Sequence, residues 1–415
     1  MPTADVLTTA ALEARSTPLA AFDVSRGERF GSQTHWPFFA RLRQEDPVHF
    51  CADSAYGPYW SITRYADITT VERDHRTFSS AGNVIIGDVP AEFDAPAFAT
   101  ADPPVHTRER RAVLPAVSPK RLVTLAPQVR ANIGALLDSL PRHEPFDWVE
   151  RVSAELTTQM VALLFDFPWD ERKQFASWCE AVVTTPAPGA IVATWAERDA
   201  VLADYRNRMV DLWQQRVAAP DGDDILSALA HNPGTAAMID DPAHLLGTLT
   251  LIAGANEAAR GALSGGVVAF HENPKELEKL RQRPALLANA VSEIVRWQTP
   301  ITHMRRTATR DTEFCGRQIR QGEKVVLWYC SGNRDEQEFE QADRFQIERP
   351  NAGRHLAYGF GIHRCLGSHV AELQVRLLWE EILKRFVRIE PAGEARCKAS
   401  NFSSGYEQLL VRIVT

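Results

Sequence analysis

Apolar and polar positions alternate with a period of two in only a few short stretches of this chain: Val48 to Cys51, Tyr59 to Thr63, Lys324 to Tyr329, and Leu409 to Val414. Each such stretch predicts a strand, and Gly57 with Pro58 predicts the turn between the first two. From Pro103 to about Phe270 the period is helical, broken around Pro141, Pro186, Pro188 and the Pro220-Asp221-Gly222 turn. A last long helix is predicted over Gly367 to Phe386, where Val370, Leu373, Leu377 and Leu378 share one face. The fold class is therefore mainly α with small β sheets. No internal repeat interrupts it.

Composition narrows the function. The chain has 415 residues, 45% of them hydrophobic and 24% charged, which is globular material able to enclose a large core. No Gly/Ser-rich tract or charge block divides it, so one domain over residues 1–415 is expected, with about 1–30 a loosely structured extension. A net charge of −7 argues against a nucleic-acid binder, which needs clustered Lys and Arg. Asp5, Glu13 and Arg15 interrupt the N-terminus, and the uncharged run Leu245 to Asn256 falls short of the roughly 20 residues that span a bilayer. A cytoplasmic protein without a membrane anchor is expected. Cys51, Cys179, Cys315, Cys330, Cys365 and Cys397 show neither CxxC pairs nor zinc spacing, and a cytosolic setting disfavours disulfides.

One cysteine has unusual neighbours. It lies in YGFGIHRCLG, Tyr358 to Gly367, where Gly359 and Gly361 permit a tight turn and close backbone approach to a flat ligand. Cys365 there would meet the N-terminus of the last helix, whose N–H groups and dipole stabilise a thiolate, the ligand a haem iron needs to cleave an O–O bond. A buried structural cysteine in a Gly-rich loop is the other reading of this string. Upstream, the segment Leu245 to Phe270 carries Gly247, Gly254, Gly261, Gly265 and Gly266, each costing a helix about 1 kcal/mol against Ala. Either a ligand or a neighbouring helix must come close.

These strings, with others in matching order from about Trp36 onward, resemble the cytochromes P450. Glu293 and Arg296 of EIVR resemble the family's E-x-x-R pair, and Arg344 of ADRF its third member. His106 and Arg110 of HTRER lie four apart, on one helix face, and resemble the propionate-binding H-x-x-x-R; Arg306 and His355 complete that set. The resemblance implies the P450 fold, with haem b (iron protoporphyrin IX) between a long central helix and the cysteine loop. Cys365 is then the metal ligand, with Gly254, Ala255, Phe360 and Gly361 against the cofactor.

The central helix departs from the family pattern. An acid followed by an alcohol is usual there and supports proton delivery; Asn256, Glu257, Ala258 and Ala259 stand in that region, so the acid remains and the hydroxyl is missing. General-acid assistance commonly contributes about 10²-fold or more. Three accounts are open, in this order: water or a substrate hydroxyl replaces the alcohol, hydrogen peroxide is used directly, or only haem and lipid binding remain. Tyr358 stands where Phe is usual, and Ala342 where Pro often precedes the D-R-F segment.

Within the superfamily the strings YGPYWSITRYADI, IIGDVP, PFDWV, LLFDFPWDER, RWQTPITHMRR, VVLWYCSGNRDE and LLWEEILKRF resemble the bacterial alkane and fatty-acid terminal hydroxylases. That likeness implies a small hydrophobic, linear substrate, O2, and electrons from an iron-sulfur ferredoxin served by an NADH-dependent reductase. A narrow apolar channel is what terminal selectivity requires. Ile85, Ile86, Phe98, Leu249, Ala253, Ile301, His303 and Met304 are the candidates for its wall, with His303 hinting at a polar chain end or an inactive surface imidazole. Arg108, Arg111, Lys120, Arg121 and Arg364 are candidates to meet an acidic electron donor.

Overall fold

A computed structural model describes residues 4–88, 96–183, 186–188, 190–220, 222–254 and 256–414. The chain groups into two compact units. One comprises Met1–Asp88, Arg130–Ser153 and Glu257–Thr415; the other comprises Val89–Val129 and Ala154–Asn256. Each unit is assembled from separated segments, so no linker composition marks a border.

The first unit holds the strands of the described residues. In chain order they are β1 (Val48–Cys51), β2 (Tyr59–Ile62), β3 (Phe78–Ser79), β4 (Phe146–Asp147), β5 (Met304–Ala308), β6 (Thr312–Phe314), β7 (Arg317–Ile319), β8 (Lys324–Leu327), β9 (Arg388–Pro391), β10 (Arg396–Cys397), β11 (Tyr406–Gln408) and β12 (Leu410–Val414). The main sheet has the order β1-β2-β8-β5-β3. Gly57, at φ +73°, makes the turn that pairs Val48 with Ile62 and Cys51 with Tyr59. β8 runs parallel to β2 and antiparallel to β5, which sets Arg306 opposite Val325. Two apolar cores pack on this sheet, one around Ile68, Val325 and Phe339, the other around Phe39, Val326 and Trp328.

The N-terminal residues are not the loose extension expected. Ala4–Ser16 is a helix. Ala14, Phe22, Val24 and Phe30 join the core around Trp328, and Arg29 forks onto Glu13 at 2.7 and 3.2 Å. Arg41 donates to the Ala14 and Thr17 carbonyls, both at 2.6 Å, which satisfies the open C-terminus of that helix.

Among its described residues the second unit has helices and no strand, and it is centred on packed aromatic rings. Phe175 packs against Phe165, Phe167 and Tyr205, with Trp178 lying nearly parallel to Tyr205 at 5.5 Å. The predicted central helix is described as Pro242–Gly254 and Asn256–Glu272, and Ala255 lies outside the described residues. The last helix runs Ser368–Arg385 and buries Val370, Leu373, Leu377 and Leu378 as its pattern predicts. Among the described residues, no helix is long and apolar enough to cross a membrane.

Candidate cysteine-loop site

The loop before the last helix is held by its own backbone. The Cys365 N–H donates to the Tyr358 carbonyl at 2.7 Å, and the Gly359 N–H to the Leu356 carbonyl at 2.8 Å. Gly361 sits at φ +66°, and a Cβ there would lie 2.3 Å from the Glu72 carbonyl oxygen, so the position admits only glycine. Cys365 is half-buried, two residues before Gly367, the cap of the Ser368–Arg385 helix, where the dipole favours a thiolate. The other five cysteines are held as thiols. Burial pushes Cys51 up to about 11 and Cys179 and Cys330 up to about 12; it also raises Cys315 and Cys397. Gly367 has an ordinary φ of −88°, with open space where a Cβ would stand.

The four residues expected to hold the propionates fall two in each unit. In the first, His355 is buried and held neutral, its pKa lowered by desolvation to about 3. The Ala357 N–H donates to its Nδ1 at 3.2 Å, so Nε2 carries the proton. Arg306, also buried, pairs with Glu72 at 2.6 Å, and the Tyr329 hydroxyl donates to the same carboxylate. Glu72 went unnoticed in the sequence because nothing in VERDH distinguishes it from a surface acid. The Phe360 ring lies under the Arg73 guanidinium at 4.8 Å. In the second unit, His106 and Arg110 occupy one face of the Val105–Val113 helix, His106 buried beside Phe98 with ring centroids 6.4 Å apart. Glu109 between them is buried and accepts from His244 at 3.0 Å, which raises the His244 pKa.

The ion-pair network behind the loop corrects one assignment. Glu293 and Arg296 are fully buried and joined by two bonds, 2.7 and 2.8 Å. The third member is Arg349, whose Nε lies 3.1 and 3.2 Å from the two Glu293 oxygens. The Arg344 side chain is exposed; Arg344 contributes only its carbonyl, which accepts from Arg296 at 3.0 Å and Arg349 at 2.8 Å. Arg296 also donates to the carbonyls of Asn333 and Ala342, and Asn333 accepts from the Leu356 N–H at 2.6 Å. The network thereby reaches the segment that enters the cysteine loop.

The glycines of the central helix separate into two kinds. A Cβ at Gly261 would lie 2.6 Å from the Ser404 carbonyl oxygen, at Gly265 2.2 Å from Gln298 Oε1, and at Gly266 2.9 Å from Trp379 Nε1. These three allow tight packing within the first unit. Gly254 is exposed, with no heavy atom within 4 Å of such a Cβ. Open space at a glycine in an apolar helix fits a flat cofactor. Glu257 is paired with Lys398 and lies 3.6 Å from Arg260. With Val149, Gly261, Tyr406 and Glu407 these groups line a cavity of about 240 Å³. Asn256 and Ala258 are half-buried.

Two of the proposed channel residues belong to the protein core. Ile86 is packed in the cluster around Trp328, and His303, fully buried, has both ring nitrogens engaged by backbone. His303 is neither a surface imidazole nor a free polar group at a chain end. Ile85, Ile301 and Met304 are half-buried in the first unit; Phe98, Leu249 and Ala253 are buried in the second.

A profile of the family described as Cytochrome P450 matches residues 267–408. The chain is 36% identical to linalool 8-monooxygenase of Pseudomonas putida, over 94% of this chain and 98% of that protein. Among solved structures it is similar to cytochrome P450-153 from Novosphingobium aromaticivorans, with a TM-score of 0.86 and 39% identity over 94% of this chain and 99% of that one. It is also similar to CYP153D17 from Sphingomonas sp. PAMC 26605, with a TM-score of 0.88 and 40% identity over 96% of this chain and all (100%) of that one.

Proposed function

Because the chain belongs to the cytochrome P450 family of haem-thiolate monooxygenases, we propose that it hydroxylates a linear aliphatic substrate at its terminal carbon. The observation that carries this reading is the 39% and 40% identity, over nearly the whole chain, to two P450-153 structures. It agrees with the strings that resemble the alkane and fatty-acid terminal hydroxylases. Family membership makes the chain an oxidoreductase that uses haem b, O2 and a redox partner, in place of a haem and lipid carrier. An iron-sulfur ferredoxin with an NADH-dependent reductase is the donor we assign, and the cytoplasm the compartment.

The haem, when bound, supplies the oxidising chemistry. Cys365 would ligate its iron, with the positive end of the following helix stabilising the thiolate. His106, Arg110, Arg306 and His355 would hold the propionates; in the neutral tautomer fixed by Ala357, His355 offers one N–H. Gly254 would leave room for the ring. Glu257 would pass protons toward the position where the alcohol is missing at 258, its carboxylate fixed by the ion pair with Lys398 beside the 240 Å³ cavity. Ile85, Phe98, Leu249, Ala253, Ile301 and Met304 would exclude water and align the chain.

A second reading, oxidation assisted by a substrate hydroxyl, is favoured by Ala258 alone. Both are tested by the fraction of NADH electrons recovered as hydroxylated product from a medium-chain alkane or fatty acid, with surrogate ferredoxin and reductase, in the natural protein and in Ala258→Thr. High recovery in both supports the terminal hydroxylase. Product from the variant alone points to a hydroxyl-bearing substrate or peroxide use; no product from either, with the haem loaded, overturns the substrate class.

A further inference from the structure

Three separated segments of the first unit meet at one imidazole. His303 stands immediately before β5, and its Nδ1 lies 2.8 Å from the Asn401 carbonyl, which can only accept. Its Nε2 lies 3.2 Å from the Ile86 amide nitrogen, which can only donate. The neutral Nδ1–H tautomer satisfies both bonds at once, and neither the other tautomer nor the cation does so. The ring is wedged between Trp328 at 4.9 Å and Phe402 at 5.4 Å. Asn401 is itself tied down, accepting from Thr302 and donating to the Ser25 carbonyl at 2.5 Å.

The junction fixes the middle of segment 83–88. That segment has two other attachments to the sheet: the Arg305 N–H of β5 donates to the Val84 carbonyl at 2.7 Å, and Asp88 pairs with Arg305 at 2.8 Å and with Lys324 of β8 at 2.9 Å. The Asp88 side chain is 72% exposed, so its ion pairs hold weakly. His303 supplies a buried bond, and the residues it sets in place are the half-buried Ile85, Ile301 and Phe402. We propose that His303 is a specificity-determining positioning residue: by joining segment 83–88, the approach to β5 and the 399–403 loop, it sets the width of the substrate channel. It touches no substrate. The inference rests on the proposed reading only in taking Ile85 and Ile301 as channel wall.

The test uses the haem-loaded enzyme and the binding of 1-alkylimidazoles, butyl to dodecyl, followed by the shift of the haem band and thus independent of turnover. His303→Leu removes both bonds; His303→Asn keeps a donor near Nδ1 and loses the acceptor for Ile86; His303→Gln keeps an acceptor at the reach of Nε2. The ratio of Kd values between the worst and best chain lengths should fall about tenfold in the Leu and Asn variants. It should stay within about twofold of the natural protein in the Gln variant. Amide exchange over 83–88 should quicken in the first two. An unchanged ratio in all three, with faster exchange or a lower melting point, assigns His303 a structural role only and overturns the proposal. If the natural protein binds all chain lengths alike, the linear-substrate reading fails instead. His303 is then judged on phenylimidazoles of increasing width, where unchanged selectivity in the Leu variant overturns it.

Discussion

Replacing Arg349 and Arg344 in turn by Met separates two arginines that look alike in the sequence. Arg349 is 2% exposed and gives Nε to Glu293 at 3.1 and 3.2 Å, Nη2 to the Gln341 and Arg344 carbonyls at 3.1 and 2.8 Å, and Nη1 to the Glu340 carbonyl. A bond to a charged group contributes about 1.5–3 kcal/mol, and removing one partner from a buried pair costs about 3–5. Glu293 keeps Arg296, and one fewer buried cation offsets part of the loss. We therefore expect Arg349→Met to cost about 3–5 kcal/mol. Arg344→Met leaves the carbonyl bonds intact and should stay within about 0.5 kcal/mol. Glu293→Gln should cost more than either, because two buried guanidiniums then lose the carboxylate they share. Urea unfolding of the haem-loaded protein, followed by tryptophan fluorescence and the haem band together, measures all three. Equal losses in the two arginine variants, or the larger loss at Arg344, would refute the assignment.

The glycines and histidines give further tests. Gly261→Ala presses a methyl onto the Ser404 carbonyl and Pro300, and should cost about 1–3 kcal/mol; Gly265→Ala meets the movable end of Gln298 and should cost less, so the reverse order in urea unfolding defeats the packing argument. Gly361→Ala, strained by its positive φ and blocked by Glu72, should yield protein that fails to retain haem, measured as haem-to-protein ratio. Burial lowers the pKa of His303 from 6.5 to about 4. The unfolded chain then binds a proton that the folded one refuses, so stability is full above pH 6.5 and falls from there down to about 4. His303→Phe should remove up to about 1.4 kcal/mol per pH unit from that slope, and an unchanged slope contradicts the buried neutral imidazole. Cys365→His should abolish the thiolate signature of the reduced carbon monoxide complex, while Cys51→Ala, Cys179→Ala and Cys330→Ala should preserve it.

What could be read in advance was what depends on local period. β1, β2 and the last helix came out within a residue or two because alternation or helical spacing fixes which face is buried. Where long-range contacts decide, local reading failed. The N-terminal helix has few large apolar residues, and its order comes from Arg29 bonding to Glu13 and from Arg41 capping its last turn. Arg344 and Arg349 lie five apart in one loop, and only burial against Glu293 tells them apart. β8 ends at Leu327, short of the predicted Tyr329, because Tyr329 begins a short helix that turns its hydroxyl onto Glu72. Among the site residues, the cysteine loop was legible because its glycines are demanded by geometry; Glu72, Glu109 and His244 were not, because a buried acid carries no mark in its neighbours.

The missing alcohol of the central helix has a physical setting that separates the two catalytic accounts of it. Glu257 is held by Lys398 and Arg260 beside a cavity of about 240 Å³. Water occupies about 30 Å³ in the liquid and needs two to four polar partners. Glu257, Arg260, Lys398 and Glu407 provide them, so the acid can exchange protons with water in a space the chain itself builds. Ala258, one residue on, offers no hydroxyl, so on the proposed reading the deficit lies in the last transfer and not in the supply. A water or a substrate hydroxyl bound near position 258 supplies that transfer without any change in protein chemistry, whereas direct peroxide use makes the paired acid dispensable. The two part at Glu257→Gln. Loss of coupled turnover with ferredoxin by about 10²-fold, at unchanged haem content, is expected if the acid serves proton delivery. Turnover with peroxide that exceeds ferredoxin-driven turnover, and is indifferent to Glu257→Gln, would instead make the ion pair with Lys398 a structural remnant.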